Sequence, residues 1–186
     1  YRVVADKLAQ QGLHTLLVDL RGYGDSASQT YSRTEIKKKA VDIVSFQNEM
    51  ARITAYWNND LLMAYQFLVN KTDKNKGISV VASGCSTAYA VALAEKAQLN
   101  SMVMITPKMA YSDKERYKNL IDIPCYFITS VNYLDSYETA KELFTWNGER
   151  QSKMQVFKGT SHHYQLINQK KHLANDIALW VKHNLN

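Results

Sequence analysis

Val80-Val-Ala-Ser-Gly-Cys-Ser-Thr-Ala88 is the stretch on which the fold turns. Its opening closes an apolar run that starts at Ile78, the composition of a strand covered on both faces. From Thr87 to Ala97 the chain is rich in alanine, which reads as a helix with a face that packs closely on a sheet. A strand that passes through a turn of small residues straight into a helix is the repeating unit of a parallel sheet. The rest of the chain supplies further units. Residues 14–20, 101–106, 123–129 and 153–157 read as strands, the second stopped by Pro107. Residues 3–11, with Gly12 as C-cap, together with 137–146 and 171–184, read as helices. The alternation predicts an α/β fold, a three-layer sandwich around a mostly parallel sheet. With no internal repeat, low-complexity tract or linker, residues 1–186 read as one domain.

Between residues 35 and 69 the pattern changes. Ile36, Ala40, Ile43, Gln47, Met50, Ile53, Trp57, Leu61, Ala64 and Leu68 recur every three or four positions, the spacing of a helical stripe. That is long for one globular helix, so a break is expected at Asn58-Asn59-Asp60, with Asp60 capping a second helix. Val41, Val44, Phe46, Tyr56 and Leu62 lie beside the stripe, more apolar surface than one helical face needs. This helical insert is therefore a candidate binding surface, with Phe46 and Tyr56 as its test positions.

The totals exclude several classes. Of the 186 residues 46% are hydrophobic and 22% charged, the balance of a globular protein. No apolar run approaches the roughly 20 residues that span a bilayer. The net charge of +6 is spread over Lys37-Lys38-Lys39, 71–76, 114–118 and Lys170-Lys171, at helix ends and in loops. Charge scattered in this way reads as a solvated face, and no nucleic-acid-binding motif accompanies it. An acidic protein partner is the better expectation. Cys85 and Cys125 are the only cysteines, and a reduced pair in a cytoplasmic protein is expected, with a periplasmic home left open. The chain opens at Tyr1 rather than Met, so an upstream segment is expected to have been removed. No metal and no cofactor is expected.

In open parallel sheets ligands bind at the carboxyl ends of the strands, so the loops that follow the strands matter most. Three of them are distinctive as an ordered set. Val18-Asp-Leu-Arg-Gly-Tyr-Gly-Asp-Ser26 resembles the D-x-R-G-x-G-x-S segment of α/β-hydrolases. The 80–88 stretch resembles the nucleophile elbow of that superfamily, and Gly159-Thr-Ser-His-His163 its histidine loop. Ile123-Pro-Cys-Tyr-Phe-Ile-Thr129 is similar to the strand before its acidic residue. The resemblance runs in order from residue 1 to 186 and is nearest to bacterial members with a glycine at the elbow. It implies an α/β-hydrolase-like sandwich lacking the first strands, which normally carry one donor of the oxyanion hole.

An elbow needs a nucleophile on a sharp turn flanked by small residues two positions away on each side. With Ala82 and Ser86 as the flanks, Gly84 occupies the nucleophile position and offers no side chain. In the rival register Gly84 and Ala88 flank Ser86; a third makes Cys85 the nucleophile, with β-branched Thr87 as a tight flank. The resemblance places the base at His162, in a His162-His163 pair that also reads as an ordinary polar loop. At the acid position stands Tyr133, which cannot charge-stabilise an imidazolium, and Asp135 serves only if the loop is shortened. Gaps at two of three positions lead to the expectation of a non-catalytic protein that binds a protein partner or a small-molecule ligand. The alternative is a serine esterase or thioesterase using Ser86, His162 and Asp135. Further binding candidates are Arg21, Tyr23, Tyr133 and His163; for Asp19 and Arg21 the competing reading is a pair that simply holds the loop.

Overall fold

The computed structural model describes residues 1–73 and 76–185, so within the charged turn at 70–77 residues 74 and 75 lie outside those described. The chain divides into two compact units, one of Tyr1–Thr15 with Thr72–Asn186 and one of Leu16–Lys71. The larger opens with α1 (Arg2–Gln10), which buries Val4, Ala5 and Leu8.

The smaller unit holds three helices. In α2 (Arg33–Lys39) the hydroxyl of N-cap Ser32 accepts from the Glu35 amide, at 3.3 Å. The second, α3 (Ile43–Thr54), starts with a reciprocal capping box. The Ser45 amide donates to Asp42 Oδ1 at 2.7 Å, and the Asp42 amide donates to Ser45 Oγ at 3.1 Å. Then follows α4 (Trp57–Lys71). The helical stripe thus breaks at 40–42 and 55–56 rather than at 58–60. Asp42 wins as the cap because its carboxylate and Ser45 satisfy each other's amides. Asp60 is committed elsewhere: Arg21 Nη2 and Nε donate to its two oxygens at 2.7 and 3.1 Å.

Among the described residues Asp19 and Arg21 make no bond to each other. Each holds the loop through its own partner, since Asp19 Oδ2 accepts from the Asp25 amide at 3.0 Å. The Arg21 guanidinium lies 4.5 Å from the centroid of the Tyr56 ring and 5.1 Å from that of Tyr31. Its carbonyl accepts from Trp57 Nε1 at 3.0 Å.

The apolar run at 14–20 corrects the sequence reading. It belongs to no strand, and Leu16, Leu17 and Val18 are exposed. An apolar run states what a segment could bury; a strand also needs a neighbouring ladder for its amides and carbonyls. Among the described residues these seven have none.

The larger unit carries the sheet. Its strands are β1 (Ser79–Ser83), β2 (Ser101–Ile105), β3 (Cys125–Ser130) and β4 (Lys153–Phe157), in the order β1-β2-β3-β4 and parallel throughout. The register pairs Val81 with Val103 and Ile105 with Ile128. The crossovers contain α5 (Ser86–Ala94), α6 (Tyr111–Tyr117) and α7 (Leu134–Trp146), and β4 is followed by α8 (His163–Gln169) and α9 (Leu173–His183).

Side chains alternate across β2 and β3. Val103, Ile105, Tyr126 and Ile128 form one core with Leu8, Leu166, Leu173 and Ile177, so α1, α8 and α9 cover that face. On the other face Phe127 meets Tyr117 of α6 and Phe144 of α7 edge-on, with ring centroids 6.2 and 6.1 Å apart. Every residue of β2 and β3 is buried. The result is an α/β three-layer sandwich. Among the described residues no helix is long and apolar enough to cross a membrane.

Candidate functional site

β1 ends at Ser83 and α5 begins at Ser86, so the chain reverses within two residues. Gly84 makes that reversal possible with φ +58, a left-handed backbone that costs glycine little. Its backbone is clamped. The amide donates to Ile105 O at 3.0 Å, while the carbonyl accepts from Thr87 Oγ1 at 2.6 Å and from the Lys108 amide at 3.2 Å. Cys85 is already helical at φ −65 and exposed, so the apex belongs to Gly84.

The space beside that apex is filled. A Cβ built on Gly84 would overlap Cε1 of His163 and stand 3.0 Å from its Nδ1. His163 reaches this place from a backbone with φ +49, and Thr106, its partner, has φ +44. Two side-chain-bearing residues in the left-handed region, one β-branched and preceding a proline, carry strain that the surroundings must hold. They hold each other: the His163 amide donates to Thr106 Oγ1 at 3.1 Å, and Thr106 Oγ1 lies 2.8 Å from His163 Nδ1. Ser83 Oγ stands 3.1 Å from the same Nδ1 and accepts from Tyr1 OH at 2.5 Å.

Thr106 Oγ1 accepts from the His163 amide and Ser83 Oγ from Tyr1, and each oxygen keeps a second lone pair and its own proton, so Nδ1 meets two hydroxyls that serve either tautomer. Protonating this imidazole is disfavoured, first by burial and then by the neighbouring His162 and Lys108, so its pKa lies below the ordinary value.

His162 is oriented differently. Its Nδ1 lies 3.1 Å from the carbonyl of Thr160, which can only accept, so Nδ1 bears the proton and Nε2 of the neutral ring is a free acceptor. Tyr133 stacks on His162 with centroids 4.8 Å apart and planes at 17°, and meets His163 edge-on. Ser86, His162 and Asp135 are joined by no hydrogen bond among the described residues; Asp135 is exposed in the first turn of α7. No carboxylate bonds either imidazole there.

Beside the histidines lies an open cleft of about 530 Å³ between the loop after β3 and α8. Asn132 and Tyr133 line one side, and His162, Tyr164, Gln165 and Asn168 the other. Among the described residues no group of three or more His, Cys, Asp or Glu is placed to hold a metal ion.

The remaining sequence candidates belong to the smaller unit. Tyr23 packs edge-on against Trp57, Phe46 lies half-buried under the Arg33 guanidinium, and Tyr56 under that of Arg21. Arg21 is held by Asp60. Sequence reasoning missed Ser83, Thr106 and the amides of α8. The first two are strand-end residues, a position that points to ligand-facing loops in any parallel sheet. Nothing in His162-His163 tells which imidazole turns inward, because that depends on where α8 begins. No family model matches the chain, and no curated protein matches it.

Proposed function

We propose that the chain is a non-catalytic, α/β-hydrolase-like binding component. One observation carries the reading. The apex of the strand-to-helix turn is glycine, and His163 occupies the volume that a nucleophile's side chain would need. Covalent acyl transfer requires an attacking atom within reach of a base held by a third group. Here the apex has no such atom, and Tyr133 stands against His162 where the resemblance to hydrolases places a carboxylate. The strand-end cleft persists without the chemistry, which favours binding over turnover. A protein partner is supported by the smaller unit, where Val41, Ile43 and Val44 are exposed close together in sequence, as interaction surfaces are.

A second reading rests on a single contact. Ser83 Oγ lies 3.1 Å from Nδ1 of His163, a serine–imidazole pair of the kind that starts ester hydrolysis. The serine esterase or thioesterase alternative therefore moves from Ser86, His162 and Asp135 to Ser83 and His163. A fluorophosphonate probe separates the two readings. The binding reading expects no covalent adduct by intact-protein mass spectrometry under conditions that label ordinary serine esterases. An adduct lost in Ser83→Ala or in Ser86→Ala would replace it with the esterase.

A further inference from the structure

The cleft along α8 is electrically neutral in a protein of net charge +6. None of its lining residues is Asp, Glu, Lys or Arg. What it offers instead is amides. Asn132, Gln165 and Asn168 are exposed, and among the described residues their side chains make no hydrogen bond, so each presents two N–H donors and an acceptor oxygen. Gln169 is pinned through its oxygen, which accepts from Ser161 Oγ at 2.5 Å and leaves its NH₂ free to donate. His162 adds a lone pair at Nε2, because Nδ1 is committed to the carbonyl of Thr160. Tyr164, 58% exposed, supplies an aromatic ring at the rim.

Mixed donors and acceptors without formal charge select among ligand classes. A carboxylate or phosphate entering here would lose water and meet no counter-charge. A purely apolar ligand would cover the amides and leave their hydrogen bonds unmade. Hydroxyl groups, each both donor and acceptor, match amides on both counts, and the C–H faces of a sugar ring suit an exposed tyrosine. We propose that this cleft binds an uncharged polyhydroxylated ligand, a neutral saccharide, held by Asn132, Gln165 and Asn168 against Tyr164. The volume of about 530 Å³ falls in the range of small-molecule sites. The proposal rests on the reading of the chain as a binding protein and names what it binds.

The test is a titration of the full chain with maltose, cellobiose and chitobiose, followed by saturation-transfer NMR and calorimetry, with glucuronate and a sugar phosphate as charged comparators. At least one neutral disaccharide is expected to bind with Kd on the order of 1 mM or tighter. Gln165→Ala and Asn168→Ala, both exposed positions, are each expected to weaken it about fivefold, the worth of one hydrogen bond, with unchanged circular dichroism. The proposal is overturned if no neutral disaccharide binds at concentrations roughly tenfold above that Kd. Tighter binding of the charged comparators overturns it too, as does affinity that neither variant changes. Fluorophosphonate labelling of the same preparation keeps the two failures apart. No adduct and no saccharide binding sinks this inference alone, whereas an adduct sinks the binding reading beneath it.

Discussion

The two compact units organise apolar sequence in opposite ways. In the larger, β2 and β3 are wholly inside, and helices close over both faces of the sheet. In the smaller, Ile53 and Trp57 are the buried hydrophobic side chains among the described residues, while Val41 is 90% and Met63 68% exposed. The sheet unit is held by burial between residues far apart in the chain. The helical unit depends more on directional polar contacts: the Asp42–Ser45 box, the Arg21–Asp60 fork and the Trp57 indole on the Arg21 carbonyl. Burial of that extent yields deep cooperative stability, whereas a scaffold of local contacts opens more readily.

The comparison is broken or confirmed most directly by truncating one aromatic in each unit. Phe127→Ala removes a side chain with no exposure from the centre of the sheet and is expected to cost about 3–5 kcal/mol in urea unfolding. Trp57→Ala removes comparable apolar bulk, but its main signature is expected in amide exchange, as lost protection across α3 and α4. Equal loss of protection in β2 and β3 in both variants would mean that the two units open as one.

A smaller effect sharpens the account of the elbow. Gly84→Ser forces a side chain into the left-handed region and onto His163, at an expected cost of about 2–4 kcal/mol. In a His163→Ala background the steric part disappears and only the backbone part remains. A double-mutant cycle on thermal unfolding should therefore show a coupling of about 1–2 kcal/mol. Strict additivity would show that His163 is not what excludes a side chain from the apex.

Legibility in the sequence follows the same division. The four strands of the sheet read within two residues of their bounds, because short apolar or alternating runs bounded by turn signals are the pattern of a strand packed on a sheet. The run at 14–20 has the same composition and is no strand, since composition cannot report whether a neighbouring ladder exists. The helical stripe of the insert was legible as helix, but its breaks were not. Asp42 and Asp60 are equally good caps on paper, and only the position of Arg21 assigns Asp60 to another task. At the site, the glycine apex is written in the sequence, whereas the inward turn of His163 and the hydroxyls that receive it are tertiary facts. The neutral amides of α8 were hidden because Asn and Gln on a helix surface look like ordinary solvation.

The smallest expected effect concerns pH and depends on the strained pair. Burial, His162 and Lys108 hold the His163 pKa below its ordinary value of 6.5, so on acidification the unfolded chain takes up this proton first. The contribution is therefore fully present above about pH 6.5 and is lost progressively as pH falls below it toward the folded value. The melting temperature should drop between about pH 7 and pH 5, and part of that slope should belong to His163. Carboxylates add a slope of their own, so the diagnostic quantity is the difference from His163→Asn. Asparagine suits this position because it tolerates the left-handed backbone better than other side chains and does not titrate. The variant is expected to melt with a shallower pH dependence over that interval. In the wild type, an NMR titration of the His163 ring should give a midpoint below 6.5. Identical slopes in the two proteins would show that the imidazole between Ser83 and Thr106 is not the group that titrates over this interval.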